Sequence, residues 1–93
     1  MLRKILCDYE FSFRGRTYKE FGLYLGDTTI PHAAIKKDMT PQIASRALKL
    51  SEEELGNLIK VHYWDLDRNK LEEAGFVFIR IEITFSPPLS QND

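Results

Sequence analysis

A nucleophilic, metal-binding or acid–base site would need side chains that this sequence supplies sparingly: one cysteine, Cys7, and two histidines, His32 and His62. Cys7 lies in an alternating apolar run, where a cysteine is typically a core residue. The acidic residues from Asp65 onward begin like a calcium-binding loop, but Lys70 occupies the position that requires glycine. The sequence therefore predicts no catalytic residue, no cofactor and no metal site.

One pair keeps an enzymatic or small-ligand alternative open. His62 and Asp65 are three residues apart, so on a helix they would share a face. Asp67, Tyr63 and His32 are further side chains that such a site would use. A histidine lining a pocket would favour this alternative, but we interpret the chain as more consistent with a non-enzymatic protein.

Cations and aromatic rings surround the first turn of the chain. Arg14 and Arg16 flank Gly15, and Tyr18 and Tyr24 follow in the next apolar run. The alternation predicts that both tyrosines lie on the face opposite the hydrophobic one. Guanidinium groups bind phosphates and aromatic rings stack on bases, so this face indicates, as one alternative, binding of single-stranded DNA or RNA.

The same side chains support our leading interpretation, a small interaction module that engages a protein partner. Tyrosine, tryptophan and arginine dominate the energetics of protein interfaces. The predicted binding residues are Arg14, Arg16, Tyr18, Tyr24 and Trp64. The contact would use the hairpin face, or an exposed sheet edge that captures another chain by β-augmentation. A homodimer is one form that such an interaction can take.

Two alternating runs must position these side chains. In residues 4–13 every second side chain is apolar, which indicates a strand with one buried face. A three-residue loop over 14–16 would place Tyr9 opposite Phe21 and gather the apolar side chains on one face. A two-residue loop would pair Tyr9 with Glu20 instead, so we predict the longer loop.

The middle of the chain shows helical signals. Thr40-Pro41 predicts a helix start, and Ser51 with Glu54 three residues later is a capping box that predicts another. Beyond it two alternatives remain. We favour a long helix over residues 52–74, and the other alternative is a helix that ends near residue 56, followed by a strand over 58–64.

The last element is predicted as a strand over residues 76–85 with one buried face. The side chains predicted on that face are Val77, Ile79, Ile81, Ile83 and Phe85. The fold class is therefore α+β: a small antiparallel sheet of three to four strands, from the N-terminal hairpin and the C-terminal strand, with one or two helices packed on one face. We expect residues 1–86 to form a single domain and 87–93 a flexible tail.

Composition restricts the class of partner. The chain has 93 residues, 43% of them hydrophobic, and a net charge of -1, so it has no strong overall field for nucleic acid or membranes. No apolar run approaches the roughly 18 residues of a membrane span. A single cysteine allows no intramolecular disulfide. We therefore expect a cytoplasmic protein with no membrane partner, for which a protein partner or self-association is the leading prediction.

Overall fold

The computed structural model describes residues 2–85, which form three strands and three helices. They are β1 (Leu2–Phe13), β2 (Arg16–Asp27), α1 (His32–Leu48), α2 (Glu52–Ile59), α3 (Arg68–Glu73) and β3 (Val77–Phe85). The sheet is antiparallel with the order β2-β1-β3. The α+β class and the three-stranded sheet confirm the prediction. The tail predicted over 87–93 lies outside the described residues.

The hairpin has a two-residue turn, and the predicted three-residue loop was wrong. The turn consists of Arg14 and Gly15, whose φ angles are 52° and 79°. Positive φ at both positions is the type I′ geometry, whose twist matches that of the flanking strands. Tyr9 therefore pairs with Glu20, and Phe21 does not lie opposite it as predicted.

Helix α1 begins at His32, well before the start predicted at Thr40-Pro41. Pro41 is buried inside the helix. Because proline has no N–H, the carbonyl of Lys37 four residues earlier loses its helical donor. The hydroxyl of Thr40 donates to this carbonyl at 2.7 Å. Thr40 therefore supports the helix through the proline instead of capping an N-terminus, which is why the predicted start was wrong.

Neither alternative for residues 52–74 is correct, although the capping box is. The Ser51 hydroxyl accepts the backbone N–H of Glu54 at 3.0 Å, and the Glu54 carboxylate accepts the backbone N–H of Ser51 at 2.8 Å. Helix α2 then ends at Ile59, and the next residue, Lys60, caps it with a left-handed φ of 62°. A loop with a 3₁₀ turn over Tyr63–Asp65 leads to α3, so the region contains neither a long helix nor a strand.

Strand β3 contains a bulge that divides its predicted buried face. Arg80 pairs with Glu10 and Phe78 with Phe11, so Ile79 is an extra residue between the two pairs. Val77 and Ile79 are consequently 56% and 57% exposed, against the prediction that they are buried. Phe78 packs against the core in their place.

The core lies between one face of the sheet and the helices. The five side chains predicted on the buried face of β1 are all buried, and they are Ile5, Cys7, Tyr9, Phe11 and Phe13. They belong to one cluster with residues of α1, with Leu55 of α2 and with Leu71 of α3. The helices therefore cover a single face of the sheet. Among residues 2–85 no helix combines the length and apolar character needed to cross a membrane.

Candidate functional site

The structure brings two of the five predicted binding residues together, because the Arg16 guanidinium lies 5.7 Å from the centre of the Tyr18 ring. Arg14 and Arg16 are exposed at the hairpin tip, and Trp64 is 66% exposed in the loop after α2. Tyr18 is half-buried, and its ring stacks on that of Phe11 with the centroids 4.9 Å apart. Because Tyr18 packs against the core cluster, its predicted place on the opposite face was wrong.

Tyr24 was also predicted on the exposed face and is instead buried, at 3% exposure. It pairs with Ile5, a core residue, because the shorter turn moves the even-numbered residues of β2 to the helical side. The Arg46 guanidinium lies 4.2 Å from the centre of its ring. The Tyr9 hydroxyl nearby donates to the Glu20 carboxylate at 3.4 Å. Burial raises the pKa of both tyrosines, so they act as neutral packing groups.

The same register turns a row of large apolar side chains outward on β2. We call Phe21, Leu23 and Leu25 the apolar stripe. They are 65%, 48% and 54% exposed, and they lie on the face of the sheet that the helices leave uncovered. Leu6 of β1, which pairs with Leu23, is half-buried beside them. Sequence reasoning missed this surface. The signal was the X-Gly dipeptide at 14–15, which favours the two-residue turn.

Charged side chains border the apolar stripe on the outer face. Asp8 of β1 pairs with Phe21 on one side and with Glu82 of β3 on the other. The Arg80 guanidinium lies 2.9 Å from the Asp8 carboxylate and 3.8 Å from that of Glu82. The hydrogen bond to Asp8 raises the pKa of Arg80 further. The outer face is thus an apolar row flanked by charges of both signs.

The edge of β2 beside the apolar stripe is covered by α1. The carbonyls of Leu23 and Leu25 point away from β1, as expected for non-hydrogen-bonded pairs of an antiparallel ladder. Arg46 donates to the carbonyl of Leu23, and Gln42 donates to that of Leu25 at 3.1 Å. A groove of about 180 Å³ lies at this contact. Two acceptors that would otherwise recruit another strand are therefore occupied.

A second exposed apolar region lies in the loop after α2. The rings of His62 and Trp64 stack with centroids 4.6 Å apart and planes 5° apart, and Tyr63 meets Trp64 edge-on at 5.1 Å. This loop is docked tightly on α2. A Cβ on Gly56 would lie 2.5 Å from the carbonyl oxygen of Val61, so only glycine allows the approach. We call residues 62–64 the aromatic loop.

Two side chains of the enzymatic or small-ligand alternative, His62 and Tyr63, line a surface groove of about 240 Å³ together with Trp64. His62 stacks on Trp64, and His32 packs edge-on against Phe85 at 5.2 Å. Burial raises the pKa of the Cys7 thiol to about 11, which disfavours the thiolate needed for nucleophilic attack. Within residues 2–85 no three histidine, cysteine or acidic side chains are grouped closely enough to hold a metal ion.

Comparison of the chain with protein families, with curated proteins and with solved structures gives no match in any of the three. The surfaces described above are therefore the basis for a functional proposal.

Proposed function

We propose that this chain is a small, non-enzymatic protein-binding module that docks through the outer face of its hairpin. The observation that carries the proposal is the apolar stripe: Phe21, Leu23 and Leu25 are each about half exposed or more, in register on one strand. Contiguous apolar patches on a soluble domain typically mark interaction surfaces. A cytoplasmic location is part of the proposal, since the only cysteine is a buried free thiol.

The geometry of a strand favours this surface as a docking site. Side chains at i, i+2 and i+4 point to the same face and are held by the ladder to β1, so the stripe is ordered before a partner arrives. Little conformational entropy is then lost on binding. Covering apolar surface contributes about 25 cal/mol per Å² removed from water. The stripe thus supplies a hydrophobic contact that needs no rearrangement.

The covered edge of β2 supports face docking over strand addition in this half of the hairpin. A strand adding to β2 would need the carbonyls of Leu23 and Leu25 as acceptors. Arg46 and Gln42 already donate to them. The partner surface that fits the stripe is therefore an apolar patch that packs on side chains, flanked by charges complementary to Asp8 and Arg80.

A photo-crosslinking experiment tests the proposal. A benzophenone amino acid is placed at Phe21, and as a control at Trp64, which is similarly exposed but lies in the aromatic loop on the helical layer. In the cells from which the protein comes, we expect a discrete adduct from position 21. The adduct should be lost when Leu23→Lys is added. Adducts from position 64 alone, or an adduct at 21 that Leu23→Lys leaves intact, would contradict the proposed surface.

A further inference from the structure

The outer face has an internal symmetry centred on the Leu6–Leu23 pair. Two residues to one side, Lys4 of β1 pairs with Leu25. Two residues to the other side, Asp8 of β1 pairs with Phe21. Each side therefore carries a large apolar side chain on β2 and a charge on β1. The positive charge is that of Lys4. On the other side Asp8 and Glu82 share the Arg80 guanidinium, which leaves that side with a net negative charge.

From this pattern we infer that the partner of the proposed surface is a second copy of the same chain, packed face to face about a two-fold axis over the Leu6–Leu23 pair. The inference rests on the proposed function, because it identifies the partner of the same surface. A two-fold interface must be self-complementary, with each patch meeting its own copy. This condition is satisfied by an axis that lies between the two sheets, parallel to their planes and perpendicular to the strands.

The contacts across such an axis follow from the register. Leu25 of one copy meets Phe21 of the other, and Leu23 meets its own equivalent at the centre. Lys4 meets Asp8 of the other copy, so opposite charges face each other at both ends. Leu25 and Phe21 are about 14 Å apart along the strand, at 3.4 Å per residue, and packed sheets lie about 10 Å apart. Leucine and phenylalanine side chains from two faces fill that spacing, as in sandwiches whose sheets cross at about 30°.

The size of the surface sets the expected strength. The proposed contact uses two of the three strands, and we expect it to bury less than the roughly 800 Å² that each partner contributes to a standard interface. We therefore expect a dimer with a dissociation constant in the micromolar range. The net charge of -1 gives little electrostatic repulsion between copies.

Sedimentation equilibrium of the full chain, from micromolar to near-millimolar concentration, measures the association. The mean mass is expected to rise toward that of two copies. Leu23→Lys places like charges together on the axis and should weaken association by roughly thirtyfold or more. Val77→Lys is the matched control, because Val77 is 56% exposed on the outer face but lies at the hairpin-tip end, away from the axis. It should associate as the wild type does.

A charge-exchange experiment tests the two-fold arrangement itself. In homodimers of Lys4→Asp, two carboxylates face each other at each end, and in homodimers of Asp8→Lys two ammonium groups do. Each variant alone should associate roughly tenfold more weakly. An equimolar mixture should recover association, because every facing pair then again carries opposite charges. A mixture that associates no more tightly than either variant overturns the two-fold arrangement.

The outcomes separate this inference from the function it rests on. A chain that stays monomeric while position 21 crosslinks to a protein of different mass overturns the dimer and leaves the docking face standing. A dimer that survives Leu23→Lys, together with no adduct at position 21, overturns both. Circular dichroism of Leu23→Lys and of a second variant, Phe21→Lys, checks that lost association is not lost folding.

Discussion

The two faces of the sheet carry similar residues and have opposite surroundings. Phe11 of β1 faces the helices and is fully buried among Tyr18, Phe76 and Phe78. Phe21 of β2 faces away and is 65% exposed. Both lie in alternating runs of one hairpin. The difference shows that apolar periodicity identifies a strand, whereas the turn that sets the register decides which of its side chains the helices cover.

The largest expected effect comes from truncating these two phenylalanines. Phe11→Ala should lower the free energy of unfolding by about 3–5 kcal/mol, because it leaves a cavity in the core. Phe21→Ala should change it by no more than about 0.5 kcal/mol, as is usual for exposed positions. Urea denaturation of both variants at a concentration where the chain is monomeric measures the difference. Equal losses in the two variants would show that the two faces are equally buried.

The reaction rates of thiols compare how accessible the same two faces are to a reagent. Cys7 is fully buried and burial raises its thiol pKa to about 11, so a disulfide reagent at neutral pH should modify it only through opening of the fold. A thiol introduced by Leu23→Cys in a Cys7→Ala background should react at the rate of a free thiol at a concentration where the chain is monomeric. Guanidinium should abolish the protection of Cys7 and leave the rate at position 23 unchanged. Rapid labelling of native Cys7 would contradict the burial of its face.

The smallest expected change in stability concerns the turn at Arg14 and Gly15, which determines which side chains of β2 face the helices. Arg14 adopts φ 52°, a left-handed conformation that asparagine tolerates better than arginine, and Asn-Gly is the preferred type I′ dipeptide. Arg14→Asn should therefore raise the free energy of unfolding by about 0.5–1 kcal/mol. Gly15→Ala is the control, since its φ of 79° requires glycine and no atom lies near its Cβ position. It should cost about 1 kcal/mol through the backbone alone. A destabilising Arg14→Asn would favour the three-residue loop and the other register.

Several elements were predictable because their signals are local. The buried face of β1 follows from strict alternation, and the start of α2 follows from Ser51 and Glu54. The α+β class follows from the order of these elements. Each of these predictions depends on residues a few positions apart, and the structure confirms them.

The errors arose where a further interaction, which the pattern itself does not reveal, overrides a local signal. Thr40-Pro41 predicts a helix start. In the structure the Thr40 hydroxyl donates to the carbonyl of Lys37, and the helix continues through Pro41. The face of β3 follows alternation until the bulge at Ile79. Of the five predicted binding residues, Arg14, Arg16 and Trp64 are exposed. The apolar stripe was missed because maximising buried apolar area selected a register that the turn geometry does not allow.

The contact between α1 and the edge of β2 has a consequence for how far association can extend. An uncovered strand edge is a template on which chains add one after another, the route to fibrils. A chain adding beside Leu23 and Leu25 would first have to displace Arg46 and Gln42. On the opposite edge, the bulge at Ile79 distorts the ladder that a newcomer would have to match. Open-ended, amyloid-like growth is therefore disfavoured at both edges, so the association proposed through the apolar stripe would stop at a closed pair.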